Sequence, residues 1–456
     1  MIRRFFCNIY FIAFSAAISG LLFGYDAGII SGAMLFIKKT FDVTNTQIGE
    51  MVGAVPLGAL LSSIISGRFS DLFGRKKILI AASFLFIMGS LVCSLAISTY
   101  YLIVGRLFIG FAVGMSSSIV PVYISEISDK ERRGKLVTLF LISVNFGIFI
   151  SYAINLWLSH IESWRLMLGL GVIPAIVFLT AAIFLPESPR WLVINGKLDE
   201  AKKILEKIHG TIKSTVELKE IQLASKQQKI TLKNALESKF FKVLLLGALI
   251  GVFTQAVGIN AIIYYAPTIF QKTGFNTAVV SILATLGIGF TVTASAIIAS
   301  KFLDKFGRRI LLLLGLLGII LSLCLIIFSF EYVHDQILLG WLTFCGFILF
   351  VAFQGVSVGP ACFLLPTEIY PSRIRGIGVG ISIAFNWLTN FLVALLFPIV
   401  LGLYGMVFVF KIFLILSIIG WIVFFLYVPE TKKISLENIE INILENKKLR
   451  CIGEKI

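Results

Sequence analysis

The chain has 456 residues, of which 58% are hydrophobic, against about 45–50% in an ordinary soluble domain, so a water-soluble globular protein is excluded. Its 40 Lys and Arg against 24 Asp and Glu give a net charge of +16. The placement of those charges excludes nucleic acid as the partner.

Apolar runs of about 20 residues, enough to cross a hydrocarbon core roughly 30 Å thick, recur along the chain. They fall at 10–32, 48–66, 78–98, 102–124, 136–158, 165–185, 241–263, 279–300, 310–330, 338–364, 377–401 and 406–428. Only a helix satisfies its own backbone during such a crossing. The fold class is therefore all-α, a polytopic membrane protein of twelve transmembrane helices whose partner is the lipid bilayer. Arg3 and Arg4 precede the first run, but that run is long, carries Asp26 and lacks a small-residue cleavage site. It reads as a first transmembrane helix, not a signal peptide. All but six of the 40 Lys and Arg lie in the N-terminus, the even-numbered connections and the C-terminal tail; Lys38, Lys39, Arg165, Lys272 and Lys411 lie opposite, and Arg106 is embedded. This positive-inside asymmetry places both termini in the cytoplasm.

Within the first run stands Gly20-Leu-Leu-Phe-Gly-Tyr-Asp26-Ala-Gly-Ile-Ile-Ser-Gly32, and Asp26 is the only acid well inside any span. An ionised carboxylate at mid-bilayer costs at least a few kcal/mol and is functional by default, with a partner. Arg106, in Val104-Gly-Arg-Leu-Phe-Ile-Gly110, is the one clearly embedded base. The expectation is that the two meet and that protonation of the pair drives the protein's work.

The chain also repeats. Gly67-Arg-Phe-Ser-Asp71-Leu-Phe-Gly74-Arg75 after the second span returns as Ser300-Lys-Phe-Leu-Asp304-Lys-Phe-Gly307-Arg308 after the eighth. Glu126 with Arg133-Gly134 after the fourth span returns as Glu368 with Arg375-Gly376 after the tenth, and Pro186-Glu-Ser after the sixth as Pro429-Glu-Thr after the twelfth. Ordered matches at nearly one spacing mark two parallel, pseudo-symmetric six-helix halves, an architecture suited to alternating access around a site at mid-membrane. Asp71, Arg75, Asp304 and Arg308 are expected to pair near their own helix ends. Glu126 and Glu368 are expected to meet Arg133 and Arg375 or to reach across the halves. Together these eight residues would close a cytoplasmic gate.

The predicted organisation is an N-terminal bundle over 1–185, a cytoplasmic linker with short amphipathic helices over 186–240, a C-terminal bundle over 241–428, and a polar, loosely ordered tail over 429–456. The six cysteines are scattered without metal-ligand spacing and read as small apolar fillers. No phosphate-binding glycine loop, metal cluster or nucleophile–base set is visible. Neither an enzyme nor an ATP-driven pump is expected, and no cofactor.

The motifs together identify a resemblance. Gly24-Tyr-Asp26, Gly67-Arg…Asp71…Gly74-Arg75, Pro121-Val-Tyr-Ile-Ser-Glu126 and Pro186-Glu-Ser-Pro-Arg190-Trp-Leu192 lie in the first half. Gln255-Ala-Val-Gly-Ile-Asn260-Ala-Ile-Ile-Tyr-Tyr-Ala-Pro267, Gly359-Pro360 with Glu368, and Pro429-Glu-Thr-Lys432 lie in the second. The chain resembles the sugar porters of the major facilitator superfamily, which include proton-coupled symporters and facilitative carriers. The resemblance implies proton symport, because Asp26 and Arg106 match the acid of the first helix and the base of the fourth in the coupled members. It also implies a sugar or polyol site lined by Gln255, Asn260, Tyr264, Tyr265, Trp387 and Asn390, with Phe23 from the first helix. Neutral amides suit such a ligand because each both donates and accepts hydrogen bonds.

Four positions depart from the family's pattern: Leu141 and Thr254 stand where glutamines are usual, Val292 where asparagine is, and Phe363 where tryptophan is. Gln354 and Asn386 are expected to supply replacements. A pentose, a hexose, a cyclitol such as inositol or a less polar metabolite all fit this reading. The expected protein is a monomeric sugar–proton symporter of a bacterial inner membrane; a uniporter, a transporter of a non-sugar solute and a non-transporting sensor are the alternatives.

Overall fold

A computed structural model describes residues 9–128, 133–225, 239–371, 374–432 and 436–454, with 234, 236 and 434 besides. Helices account for the regular structure, and there is no strand among the described residues. The first half comprises α1 (Ile9–Phe41), α2 (Asn45–Phe73), α3 (Arg75–Ser94), α4 (Thr99–Ile127), α5 (Arg133–Leu158), and a sixth crossing split into α6 (Trp164–Gly169) and α7 (Val172–Phe184). The linker carries α8 (Pro189–Ile194), α9 (Leu198–His209) and α10 (Thr211–Ser225). The second half comprises α11 (Phe241–Ala256), α12 (Ile259–Gln271), α13 (Ala278–Phe306), α14 (Arg308–Tyr332), α15 (Gln336–Phe353), α16 (Gly359–Ile369) and α17 (Arg375–Tyr427).

Eleven described stretches are long and apolar enough to cross a membrane. The last of them, α17, runs for 53 residues, about 80 Å if straight at 1.5 Å per residue, more than twice the hydrocarbon thickness. Its backbone leaves the helical region at Gly405 (φ 80, ψ 178), a conformation that glycine adopts without steric cost. It therefore serves two crossings, and the described chain makes the twelve that the sequence predicts.

Two compact units emerge, one from residues 1–26, 57–148 and 165–228, the other from 27–56, 149–164 and 229–456. They do not coincide with the halves of the sequence repeat: α1, α2 and α5 each pass from one unit into the other. In the first unit, small residues let backbones touch. A Cβ on Gly24 would overlap the Val144 carbonyl oxygen, and one on Gly147 would overlap that of Leu21, so α1 lies directly on α5. In the second unit the outer parts of α1, α2 and α5 pack on second-half helices. The Tyr152 hydroxyl donates to the Ile263 carbonyl at 2.9 Å, and Gly49 lies against the Leu395 carbonyl.

The start of α2 is fixed locally. The Gln47 amide N–H donates to the Thr44 hydroxyl (3.3 Å), and the Thr44 N–H donates back to Gln47 Oε1 (3.0 Å), a reciprocal capping box. In the linker, Leu192, Val193 and Ala201 form a small core covered by Trp191, Ile204, Leu218 and Ile221. Trp191 Nε1 donates to the Asp71 carbonyl at 2.8 Å, which ties α8 to the end of α2.

The tail corrects the expectation of loose order. Residues Leu436–Leu444 form α18, and its Ile439 and Ile443 are buried together with Ile452. The Asn442 amide then donates to the carbonyls of Ile452 (3.0 Å) and Glu454 (2.9 Å), folding the chain end back as a hook. The polar composition concealed an apolar face three and four residues apart.

The glycine contacts set a direct expectation. Gly24→Leu should force α1 off α5 and lower the thermal unfolding temperature of purified protein by several degrees or abolish folding. Gly67→Leu, whose new Cβ would meet nothing within 4 Å, should leave it unchanged.

Candidate functional site

Asp26 and Arg106 meet, as expected from the sequence. Arg106 Nη1 donates to Asp26 Oδ1 at 3.3 Å, with the two side chains 1% and 7% exposed. Two close helix contacts hold them at that height. The Gly24 contact with Val144 positions α1, and Gly89 and Gly105 bring the backbones of α3 and α4 together. The neighbouring Tyr25 spends its hydroxyl on the Met167 carbonyl at 2.6 Å. The second carboxylate oxygen, Asp26 Oδ2, is buried without a hydrogen-bond partner. A carboxylate in such surroundings, held through one oxygen only, has an open position for a proton.

The substrate residues expected in the second half form a chain of amides. Asn260 Nδ2 donates to Gln255 Oε1 (2.7 Å), Gln255 Nε2 to Asn386 Oδ1 (3.3 Å), and Asn386 Nδ2 to the Gly251 carbonyl (3.4 Å). Five residues along an unbroken helix lie about 140° apart around its axis, too far for Asn260 to reach Gln255. The helix is broken between them: Gly258 has φ 97, and α12 starts afresh after it. Asn390 and the Tyr264 hydroxyl lie 3.4 Å apart on the neighbouring turns. Trp387, beside Asn386 on α17, is buried.

Gln354 heads a single π-helical turn, Gln354–Val358, between α15 and α16, a distortion common at functional sites. Its Nε2 donates to the Thr254 carbonyl at 3.3 Å, while Oε1 is buried without a partner. Gln354 thus reaches the residue adjoining Gln255. Thr254 itself returns its hydroxyl to the Ile250 carbonyl at 2.7 Å and offers nothing outward. Val292 is buried, Leu141 is half-buried and Phe363 is exposed. Tyr265, buried like its neighbour, differs in its partners: its hydroxyl donates to the Ala394 carbonyl, and its ring stacks on Phe397 at 4.8 Å. These are the contacts of a packing residue, not of a pocket wall. Phe23 is half-buried and lies in the first unit with Asp26, whereas the amides lie in the second.

The repeated charges assemble differently from the sequence expectation. Arg75 donates through Nε to Glu126 Oε2 (3.0 Å) and through Nη2 to Glu126 Oε1 (3.1 Å), a two-point fork. Its Nη1 also reaches Asp71 Oδ1 at 3.1 Å. Glu126 therefore pairs with Arg75. Helix α4 ends at Ile127 and Ser128 is extended, so the seven-residue spacing to Arg133 does not keep one helical face. In the second half Arg308 pairs with Glu368 (Nη2 to Oε1, 3.0 Å), and Arg375 Nε donates to the Tyr370 carbonyl at 3.3 Å. The side chains of Arg133 and Asp304 lie outside the described residues.

Each cluster has a third member to which the sequence analysis assigned no role. Glu187 Oε1 accepts the backbone N–H groups of Arg75 (2.9 Å) and Lys76 (3.2 Å) at the start of α3. Glu430 likewise accepts those of Arg308 (3.0 Å) and Arg309 (3.2 Å) at the start of α14. A carboxylate on unpaired N–H groups at a helix N-terminus is favourable on both hydrogen-bond and dipole grounds. Ser188 and Thr431 then donate their hydroxyls to Glu126 and Glu368. The third repeat, Pro-Glu-Ser against Pro-Glu-Thr, was the visible signal for these four residues.

Comparison with known proteins identifies the family. The family model described as "Sugar (and other) transporter" matches residues 12–442. The chain is 38% identical over 435 residues to the probable metabolite transport protein CsbC of Bacillus subtilis, covering 95% of this chain and 94% of that protein. It is 33% identical over 447 residues to the galactose-proton symporter of Escherichia coli K12, covering 97% and 96%. Among solved structures it is similar to that of the proton:xylose symporter XylE bound to 6-bromo-6-deoxy-D-glucose, with a TM-score of 0.80, 28% identity, and coverage of 95% of this chain and 98% of that one. A membrane transporter and not an enzyme, the chain belongs to the sugar-transporter family of the major facilitator superfamily.

Proposed function

We propose that this protein imports a monosaccharide or cyclitol together with a proton, by alternating access. The observation that carries this reading is the buried Asp26–Arg106 pair with its open carboxylate oxygen. Removing one charge from a buried pair leaves the other uncompensated, at about 3–5 kcal/mol. Gain or loss of a proton at Asp26 therefore reweights conformers that solvate Arg106 differently. A difference of that size moves a two-state equilibrium by more than a hundredfold. The similarity to symporters named for galactose and xylose supports the same reading.

The substrate is held by Gln255, Asn260, Asn386 and Asn390, with Gln354 alongside and Tyr264, Trp387 and Phe363 as apolar and aromatic wall. The amides satisfy one another, and a polyol replaces those bonds one for one. The clusters around Arg75 and Arg308 brace the cytoplasmic ends of the bundles 1–185 and 241–428, and the residues paired in them are the gate elements. The protein acts as a monomer in a bacterial inner membrane with both termini in the cytoplasm.

Asp26→Asn should abolish uphill accumulation in proteoliposomes while leaving substrate exchange across the membrane. Full accumulation by the mutant would sink proton coupling. Gln255→Ala should weaken binding of the transported sugar about tenfold, the usual effect of losing a buried hydrogen bond or two. Thr254→Val should not change it, because that hydroxyl is spent on its own helix. Equal affinities for Gln255→Ala and wild type in a panel of pentoses, hexoses and inositols would place the site elsewhere.

A further inference from the structure

The folded tail creates a second site, separate from the transported substrate. The hook closed by Asn442 carries a short turn, Leu449–Cys451, and places the Arg450 guanidinium 5.3 Å from the centre of the Phe425 ring. Arg309, from the second residue of α14, lies 5.7 Å from the same ring and donates through Nη2 to the Phe425 carbonyl at 2.8 Å. Two guanidiniums from distant parts of the sequence thus share one aromatic ring.

Neither forms an ion pair among the described residues, and Arg309 Nε is buried without an acceptor. Glu430, the acid whose charge acts on Arg309, has its oxygens occupied by the backbone N–H groups of Arg308, Arg309, Thr431 and Lys432. Like charges gathered in this way repel unless an anion joins them. The cation–π contacts stabilise each guanidinium by about 0.5–2 kcal/mol but leave its hydrogen-bond donors open.

The surroundings say which anion. Arg309 opens one membrane span and Phe425 closes another, so the pair stands at the level where hydrocarbon meets headgroups. One turn deeper, Ile310 and Leu314 on α14 and Ile422 on α17 are 47–55% exposed, an apolar surface facing acyl chains. Trp421 stacks on Phe425 at 5.3 Å and donates to the Leu313 carbonyl at 3.2 Å, fixing the ring between the two helices. Aromatic rings at this depth are typical membrane-interface anchors.

We propose that Arg309 and Arg450 bind the phosphate of an anionic phospholipid headgroup over Phe425, with its acyl chains along Ile310, Leu314 and Ile422. The bound phosphate bridges the tail to α14 by forked guanidinium–oxygen hydrogen bonds. Basic pockets at the membrane surface select anionic lipids by this chemistry. The occupied site holds the tail hook beside Glu430.

Native mass spectrometry of delipidated protein titrated with phosphatidylglycerol or phosphatidylcholine tests this directly. Wild type should bind one phosphatidylglycerol at least tenfold more tightly than phosphatidylcholine. Arg309→Gln and Arg450→Gln should each lose about tenfold, and Lys77→Gln, in the other half, none; tenfold is the low end for a lost hydrogen bond to a charged group. Each variant must first unfold at the wild-type temperature in lipid-free detergent. Should Arg309→Gln fail that requirement, Arg450→Gln, on the exposed tail, decides the matter. Equal binding of both lipids, or undiminished phosphatidylglycerol binding by Arg450→Gln, overturns the proposal. Displacement of the lipid by millimolar inorganic phosphate also overturns it, since the site would then read a soluble anion.

Discussion

A charge inside a hydrocarbon layer must be compensated, and the quality of the compensation decides what it is for. The pair at Asp26 is joined by one contact at 3.3 Å, with a carboxylate oxygen left over. The pair at Glu126 is a two-point fork whose acid also accepts the Ser188 hydroxyl. Forked, fully occupied ion pairs fix geometry and resist exchange. A single long contact in a dry setting can give up its proton acceptor with little rearrangement. The two pairs have similar side-chain burial and differ chiefly in how many hydrogen bonds each acid makes, a difference that fits the proposed switch at Asp26 and brace at Glu126.

The braces explain why the sequence repeats where it does. In each half a glycine in a positive-φ conformation opens a helix, φ 95 at Gly74 and φ 89 at Gly307. The absence of a side chain there admits a carboxylate, Glu187 or Glu430, onto the exposed N–H groups of the next turn. The arginine that follows is then aimed back at the acid ending the fourth or tenth span. Glycine, arginine and two acids on separate segments form one device, so their spacing survives in both halves even though most other residues have diverged. Each device closes within its own half, so the helix ends that it joins are braced to one another there.

Much of this was legible beforehand, for reasons that differ by residue. The twelve crossings, the lone acid and its base follow from length and burial cost, which a one-dimensional sequence carries fully. Partners were harder to read. Sequence offers Glu126 either the nearby Arg133 or a partner across the halves, whereas the structure pairs it with Arg75 of another helix in its own half. Glu187 and Glu430 were visible as a repeat, yet their role depends on a helix N-terminus brought to them in space. Tyr264 and Tyr265 are adjacent and chemically identical; only packing shows that Tyr265 spends its hydroxyl on Ala394 while Tyr264 faces Asn390. The order of the tail rests on three isoleucines and one asparagine within a segment whose average composition is polar.

The irregular backbone and the polar side chains of the second half coincide, and that coincidence has a physical cause. Inside a bilayer, broken helices survive only where protein or a water-lined cavity satisfies the freed backbone groups. The break at Gly258 lies between Gln255 and Asn260, and the π-turn begins at Gln354, whose amide bonds to the Thr254 carbonyl. Of the side chains proposed to meet a polyol, Gln354 takes up a carbonyl beside the break, whereas Gln255 and Asn260 bond to other side chains. On the proposed reading, a substrate that drew on Gln354 would compete with that repair, so binding and helix geometry would meet at this residue. Likewise, a hydroxyl bound to Gln255 would compete at once with its bonds to Asn260 on α12 and to Asn386 on α17.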